Sequence, residues 1–225
     1  MRAISIAWVV FLIAVVVPCE AFAAGAASED VPIVGGHLTR TDGPPALSAF
    51  GIGRADRVLS ARHAVPGQEL VLGCCVQGTM RSDFLFFPSF DERGARLAGD
   101  VRLLADLATA GTAVAAKDVS MAGMVGSLAM LLEPGRLGVS LDLDLLPAPD
   151  GVPLADWLAC FPCYAFLLCC PPSQVSACLG AFADRDLSAA SLGVIDDTGR
   201  VRLRRGDEIV DVFDLRREAV TNLGH

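Results

Sequence analysis

Cysteine dominates the reactive side chains of this chain, with eight in all: Cys19, Cys74, Cys75, Cys160, Cys163, Cys169, Cys170 and Cys178. Cys160-Phe161-Pro162-Cys163 has the spacing that brings two sulfurs together, as a redox dithiol or half of a zinc site. Neither chemistry finds its other half. No histidine lies close enough in sequence to finish a zinc knuckle, and no strand, helix and second strand frame the motif. Structural disulfides or buried thiols are the expected use, with Cys74, Cys75, Cys160, Cys163, Cys169, Cys170 and Cys178 as disulfide candidates. No metal and no cofactor is expected. Asp142 and Asp144 share one face of a strand, as metal ligands or paired acids would. With no third ligand in view they read as solvent-facing. Arg200, Arg202, Arg204 and Arg205 alternate on an expected strand, as a solvated face or a charged guard on a sheet edge. An acidic partner is the minority reading there.

These side chains need a scaffold, and the composition supplies one. The chain has 225 residues, 53% of them apolar and 20% charged, enough for one ordinary domain or two small ones with a packed core. The formal net charge of -8 argues against a nucleic-acid binder, which needs a basic surface to displace counterions from phosphate. Lysine occurs once, at Lys117, and tyrosine once, at Tyr164.

The amino terminus points to export. Arg2 precedes an apolar run from Ala3 to Val17, and Ala21-Phe22-Ala23 follows as a small-residue cleavage pattern. Residues 1–23 therefore read as a signal peptide, or as a signal anchor that keeps the chain at the membrane. Export would let thiols oxidise, and loss of Cys19 with the signal would leave an odd number.

Residues 24–55 are small, polar and broken by Gly43-Pro44-Pro45, as in a linker. From Asp56 onward short apolar stretches alternate with turns: Arg57 to Ala61, Glu69 to Val76, Phe84 to Phe87, Val101 to Leu104 and Val139 to Leu145. Their length favours strands. Ser120 to Leu132 and Ala155 to Leu168 are the better helix candidates, although Phe166 to Cys170 could equally be a buried strand. Aligning Gly67 with Gly111 exposes an internal repeat. Leu59 then matches Leu103, Ala61 matches Ala105 and Ala64 matches Ala108. Each copy reads as strand, tight turn and strand, with glycine where the turn needs positive φ.

Both copies resemble the SAF element, in Val58 to Leu70 and in Asp106 to Val119 with its closing aspartate. Leu132 to Asp144, with its Pro134-Gly135 turn, is similar to the stretch that follows SAF repeats in pilus assembly proteins of the CpaB/RcpC family. Gly206 to Val212 is similar to that family's glycine-aspartate strand. The resemblance implies a mainly-β chain with some α (α+β), with β-clip-like SAF elements over 56–145 and a Cys-rich, partly helical and β region over 146–225. It makes Gly67, Gly111, Pro134 and Gly135 structural turn residues. It also implies a non-catalytic assembly protein for Flp pili, in the periplasm or anchored to the inner membrane. Its partners would be pilus or envelope assembly proteins, with cell-wall carbohydrate as a further ligand class.

A second resemblance competes for the same residues. Ile33-Val34-Gly35-Gly36, the segment around His63, and Asp100 to Leu104 look like the amino terminus, histidine loop and aspartate strand of trypsin-like serine proteases. That likeness implies His63 as general base, Asp100 as its orienting acid and Ser191 as nucleophile. Ser191 sits between Ala190 and Leu192, where the family has glycines that build the oxyanion hole. A degenerate, inactive protease fits the same residues.

Overall fold

The computed structural model describes residues 53–222. The export segment, most of the 24–55 linker, Cys19 and Ile33 to Gly36 lie outside the described residues. Nine strands and five α-helices are found among the described ones. In chain order the strands are β1 (Glu69–Cys74), β2 (Phe86–Phe87), β3 (Ala115–Asp118), β4 (Gly138–Asp142), β5 (Phe161–Pro162), β6 (Ala165–Cys170), β7 (Ser188–Asp196), β8 (Arg200–Arg205) and β9 (Glu208–Asp214). The helices are α1 (Phe90–Arg93), α2 (Leu97–Ala110), α3 (Gly123–Leu132), α4 (Leu154–Ala159) and α5 (Val175–Ala183).

Seven strands form one mixed sheet in the order β3-β6-β1-β7-β4-β8-β9, while β2 and β5 pair in parallel as a separate ribbon. Only β4 and β8 run parallel within the large sheet. The sheet draws β1, β3 and β4 from before residue 145 and β6 to β9 from after it, so a single sheet spans both expected regions. This is an α/β sheet covered by helices on both faces. It corrects the mainly-β, β-clip expectation.

The alternation of the central strands explains the layering. Leu70 and Leu72 of β1 and Leu167 and Cys169 of β6 face one core, which α3 fills with Met124, Leu128, Leu131 and Leu132. Val71 of β1 and Leu168 and Cys170 of β6 face a second core, filled by Leu103 and Leu107 of α2 and Phe182 of α5. Both faces are apolar because both are buried. At Gly73 the Phe182 ring lies so close that an added Cβ would sit 2.2 Å from it.

The repeat dissolves in this architecture. Val101 to Leu104, read as a strand, lies inside α2. Gly111 has φ +71 and ends that helix, its N–H donating to Ala108 O. Gly67 has φ +87 and precedes β1, its N–H donating to Ile195 O. A positive φ serves a helix end as well as a tight turn, so glycine spacing alone could not separate the two. Leu103 is buried, but on a helix, and Leu59 packs at the margin of the same core. The segments are not equivalent. Pro134 and Gly135 lie in a 3₁₀ turn that extends α3.

Glu133, at the start of that turn, fastens the carboxyl-terminal stretch. Its carboxylate is buried and accepts hydrogen bonds from the backbone N–H of Val220 (2.7 Å) and Thr221 (3.0 Å) and from the Thr221 hydroxyl. Burial pushes its pKa up, but the bonds from Thr221 and Val220 prevail and hold it below the ordinary 4.5. A depressed folded-state pKa gives stability that is present above pH 4.5 and fades as pH falls through the folded value. Glu133→Gln should therefore be less stable than wild type near pH 7, with the gap closing as the pH falls below 4.5. Paired thermal melts across that range measure it, and a gap independent of pH would refute the assignment.

Candidate functional site

His63 is exposed in a short 3₁₀ turn, with Nδ1 3.3 Å from Val114 O. Asp100 is fully buried on α2, and its oxygens bind Arg93 Nε (2.7 Å), Arg93 Nη2 (2.9 Å) and Arg185 Nε (2.7 Å). The Ser191 hydroxyl donates to the Glu69 carboxylate. Each has partners of its own and no relay joins them. The protease reading is corrected on that geometry: an acid held by two guanidiniums cannot also orient a distant imidazole.

The seven cysteines of the described residues are free thiols, and all but Cys163 are buried. Burial pushes Cys160 and Cys163 up to about 11 and Cys169 up to about 12. Such thiols are poor nucleophiles near neutrality. No group of three or more potential ligands that could hold a metal occurs among the described residues. Three arginines of β8 pair within the sheet: Arg200 with Asp211, Arg202 with Asp196, and Arg204 with Asp142. Asp144 accepts from the Gly206 N–H. These charges stitch β4, β7, β8 and β9 together.

The arrangement with the clearest capacity for a ligand is the turn from β3 into α3. β3 ends at Lys117-Asp118, whose side chains form a partly exposed ion pair, and the lysine ammonium also donates to Asp118 O (3.0 Å). Val119 N–H then bonds Ala165 O at 2.9 Å, which fixes the turn against β6. Ser120 N–H donates to the hydroxyl of Ser127, one turn into α3. Gly123 opens α3 at φ +66, and its N–H bonds Ser120 O at 2.8 Å. The helix is preceded by Ala122, which has no side-chain oxygen to cap it. The start of α3 therefore lacks a side-chain cap and carries the positive end of the helix dipole, a short turn after Lys117 in the chain.

The opposite wall is the chain leaving α4. A Cβ at Gly123 would meet Leu158 O at 2.7 Å and Ala159 Cα at 3.0 Å, so the two backbones are in contact there. Two residues on, Phe161 N–H bonds Leu85 O and its ring stacks on Phe86 with centroids 5.1 Å apart. Cys163 N–H bonds Phe87 O, and Cys163 Sγ accepts from Ser89 N–H at 3.0 Å. The sequence reading passed over this turn, taking Lys117-Asp118 only as the end of a repeat. The usable signal was Asp118-Val119-Ser120 followed by Ala122-Gly123 and then Met124, Leu128 and Leu131 at helical spacing.

Comparison with known proteins gives this geometry its context. Residues 91–206 match the family model described as AIR synthase related protein, C-terminal domain. The chain is 33% identical over 200 residues to the protein sll0787 of Synechocystis, covering 88% of this chain and 62% of that protein. It is 26% identical over 204 residues to the phosphoribosylformylglycinamidine synthase subunit PurL of Salinibacter ruber, covering 82% of this chain and 27% of that one. Thermotoga maritima PurL complexed with FGAR superposes with a TM-score of 0.70 at 17% identity, over 88% of this chain and 36% of that one. The hydrogenase maturation protein HypE gives 0.52 at 14% identity, over 71% and 56%. The chain thus spans about three-fifths of the Synechocystis protein's length.

None of these matches is a SAF-domain or pilus assembly protein, and the expectations tied to that resemblance are corrected with it. Pilus and envelope partners and cell-wall carbohydrate depended on it; the periplasmic or inner-membrane setting rested also on residues 1–23, which lie outside the described residues, and none of these matches supports it. Among the described residues no helix is long and apolar enough to cross a membrane. The expectation of a non-catalytic protein conflicts with relatives that are synthase subunits. With residues 91–206 matched and the sheet shared, the chain belongs to the AIR synthase related protein family, through its C-terminal domain.

Proposed function

We propose that this chain forms part of an ATP-using enzyme of the AIR synthase type, and that the β3–α3 turn receives a phosphate of its ligand. The observation that carries this reading is the start of α3, without a side-chain cap and a short turn after Lys117 in the chain, in a domain of that family. A helix start offers several N–H donors and roughly half a positive charge to an anion. Lysine adds a point charge that suits phosphate. Thermotoga maritima PurL has been complexed with ATP and with FGAR, and these supply the ligand classes to try. In phosphoryl transfer the protein acts mainly by positioning and by stabilising charge, so a turn of this kind would hold the phosphate rather than react with it.

Calorimetric titration of the full chain with ATP and then with FGAR tests the proposal. Lys117→Ala should weaken binding of the phosphorylated ligand about tenfold or more, because a charge-assisted hydrogen bond contributes roughly 1.5–3 kcal/mol. Lys117 is partly exposed, so the variant should fold normally. No binding of either ligand, or binding unchanged by Lys117→Ala, would overturn the reading.

A further inference from the structure

Lys117, the only lysine of the chain, already holds an anion. Its ammonium pairs with the Asp118 carboxylate and donates to Asp118 O at 3.0 Å. Consecutive residues of a strand leave it on opposite faces, so adjacency in sequence does not by itself bring these two groups together. Ala115 and Val119 belong to the core that α3 fills, whereas Ala116 packs on the core of the other face. The alternation therefore assigns Lys117 to the α3 face and Asp118 to the opposite one. The long lysine stem reaches across β3 to make the pair, a path left open because β3 is the outermost strand of the sheet.

The two partners differ in freedom. Backbone just beyond Asp118 is fixed by the bond from Val119 N–H to Ala165 O and by the bond from Ser120 N–H to the hydroxyl of Ser127, which is fully buried. Lys117 is partly exposed on a flexible four-carbon stem, so exchanging its partner needs movement of the lysine alone. Two of the three ammonium donors are spent on Asp118. An anion arriving on the α3 face thus meets a cation already neutralised. A singly charged group would replace one carboxylate by its equal and gain little. A terminal phosphate carries a charge of about −1.5 to −2 at pH 7, which favours the exchange. The displaced carboxylate stays on the far face, partly exposed to water, where it does not oppose the new ligand.

We propose that Asp118 is an autoinhibitory partner of Lys117, holding it back from every ligand except a doubly charged phosphate. With the phosphate reading of the β3–α3 turn as its basis, the pair sets the ligand class: a terminal phosphate engages Lys117, whereas a phosphodiester or a carboxylate does not. The threshold is low, because a partly exposed ion pair is weak. Its release reduces affinity for the phosphate that wins the exchange by only about threefold to fivefold.

The test is a double-mutant cycle on the full chain, read by calorimetric titration with ATP and with ATP methylated on its γ-phosphate, which removes one charge from the terminal group. Asp118→Asn should tighten ATP binding by about threefold to fivefold, the opposite of what loss of a ligand-holding residue does. Lys117→Ala should weaken ATP binding in the wild-type background and change binding of the methyl ester by less than about twofold, because the ester leaves the ion pair closed. In the Asp118→Asn background Lys117→Ala should weaken binding of the ester as well, by about threefold to fivefold. Both side chains are partly exposed, so thermal melts of the variants should stay near wild type. ATP binding that is unchanged or weaker in Asp118→Asn, or an ester that already depends on Lys117 in the wild type, would overturn the autoinhibitory role and leave the phosphate reading standing. Absence of any binding that depends on Lys117 would overturn both.

Discussion

Asp100→Ala should destabilise the protein by about 3–5 kcal/mol, a large part of the 5–15 kcal/mol typical of a folded domain. The reason is the guanidinium it would abandon. The Arg93 side chain is fully buried, and Asp100 supplies its counter-charge through two hydrogen bonds of 2.7 and 2.9 Å. The remaining donors of Arg93 reach Arg185 O at 2.7 Å and Asp186 O at 3.4 Å, which neutralise nothing. Arg185 also binds Asp100, and the Tyr164 hydroxyl donates to Asp100 O. One residue thus ties α1, α2, the start of β6 and the turn after α5. Asp100→Asn should lose nearly as much, because shape survives and charge does not. Replacing Arg93 and Asp100 together by leucine should cost less than Asp100→Ala, since no uncompensated ion remains. Urea unfolding of the three variants measures this. A cost below about 1 kcal/mol for Asp100→Ala would show that water reaches Arg93 and that the network is not sealed.

That buried acid also shows why the sequence misled. Asp100 was read as the first residue of a protease-like aspartate strand, on the strength of the Val101-Arg102-Leu103-Leu104 run. Four residues cannot separate a strand from one turn of helix. The wider pattern does: Leu103, Leu107 and Ala108 are buried at helical spacing, and Asp100 completes the same face. Elements with a strong local signature were legible, among them β1, β8 and β9 as separate strands, and α3 within Ser120 to Leu132, whereas β6 was left open between helix and buried strand. Ala155 to Leu168 hid most of a helix, the short strand β5 and part of β6 in one apolar stretch. The strand order was not legible. Only β8 and β9 are neighbours both in sequence and in the large sheet, so every other pairing joins distant segments and leaves no local trace. Lys117 and Gly123 were in plain view, but their meaning depends on the strand before them, the helix after them and the α4 exit packed alongside.

Gly123 is where that packing should be most costly to disturb. Gly123→Ala should lose about 2–4 kcal/mol, from two additive sources: a left-handed conformation that an L side chain resists, and overpacking against a neighbour. At φ +66 the first source applies at any glycine of this kind. The second is local, because the new Cβ would lie 2.7 Å from Leu158 O, 3.0 Å from Ala159 Cα and 3.1 Å from Ala159 O. These are backbone atoms, and no side-chain rotation relieves them. Gly111 is the natural control. Its φ is +71, yet nothing lies within 4 Å of the Cβ position, so Gly111→Ala should cost only about 1 kcal/mol. The difference between the two variants isolates the contact between the start of α3 and the exit of α4. Relief of the clash must push these two walls apart, which displaces the first-turn N–H groups proposed to hold phosphate. ATP titration should therefore show Gly123→Ala losing affinity by more than tenfold while Gly111→Ala stays near wild type. Equal destabilisation in the two variants would mean that the contact yields freely, and the rigid β3–α3 turn would lose its physical basis.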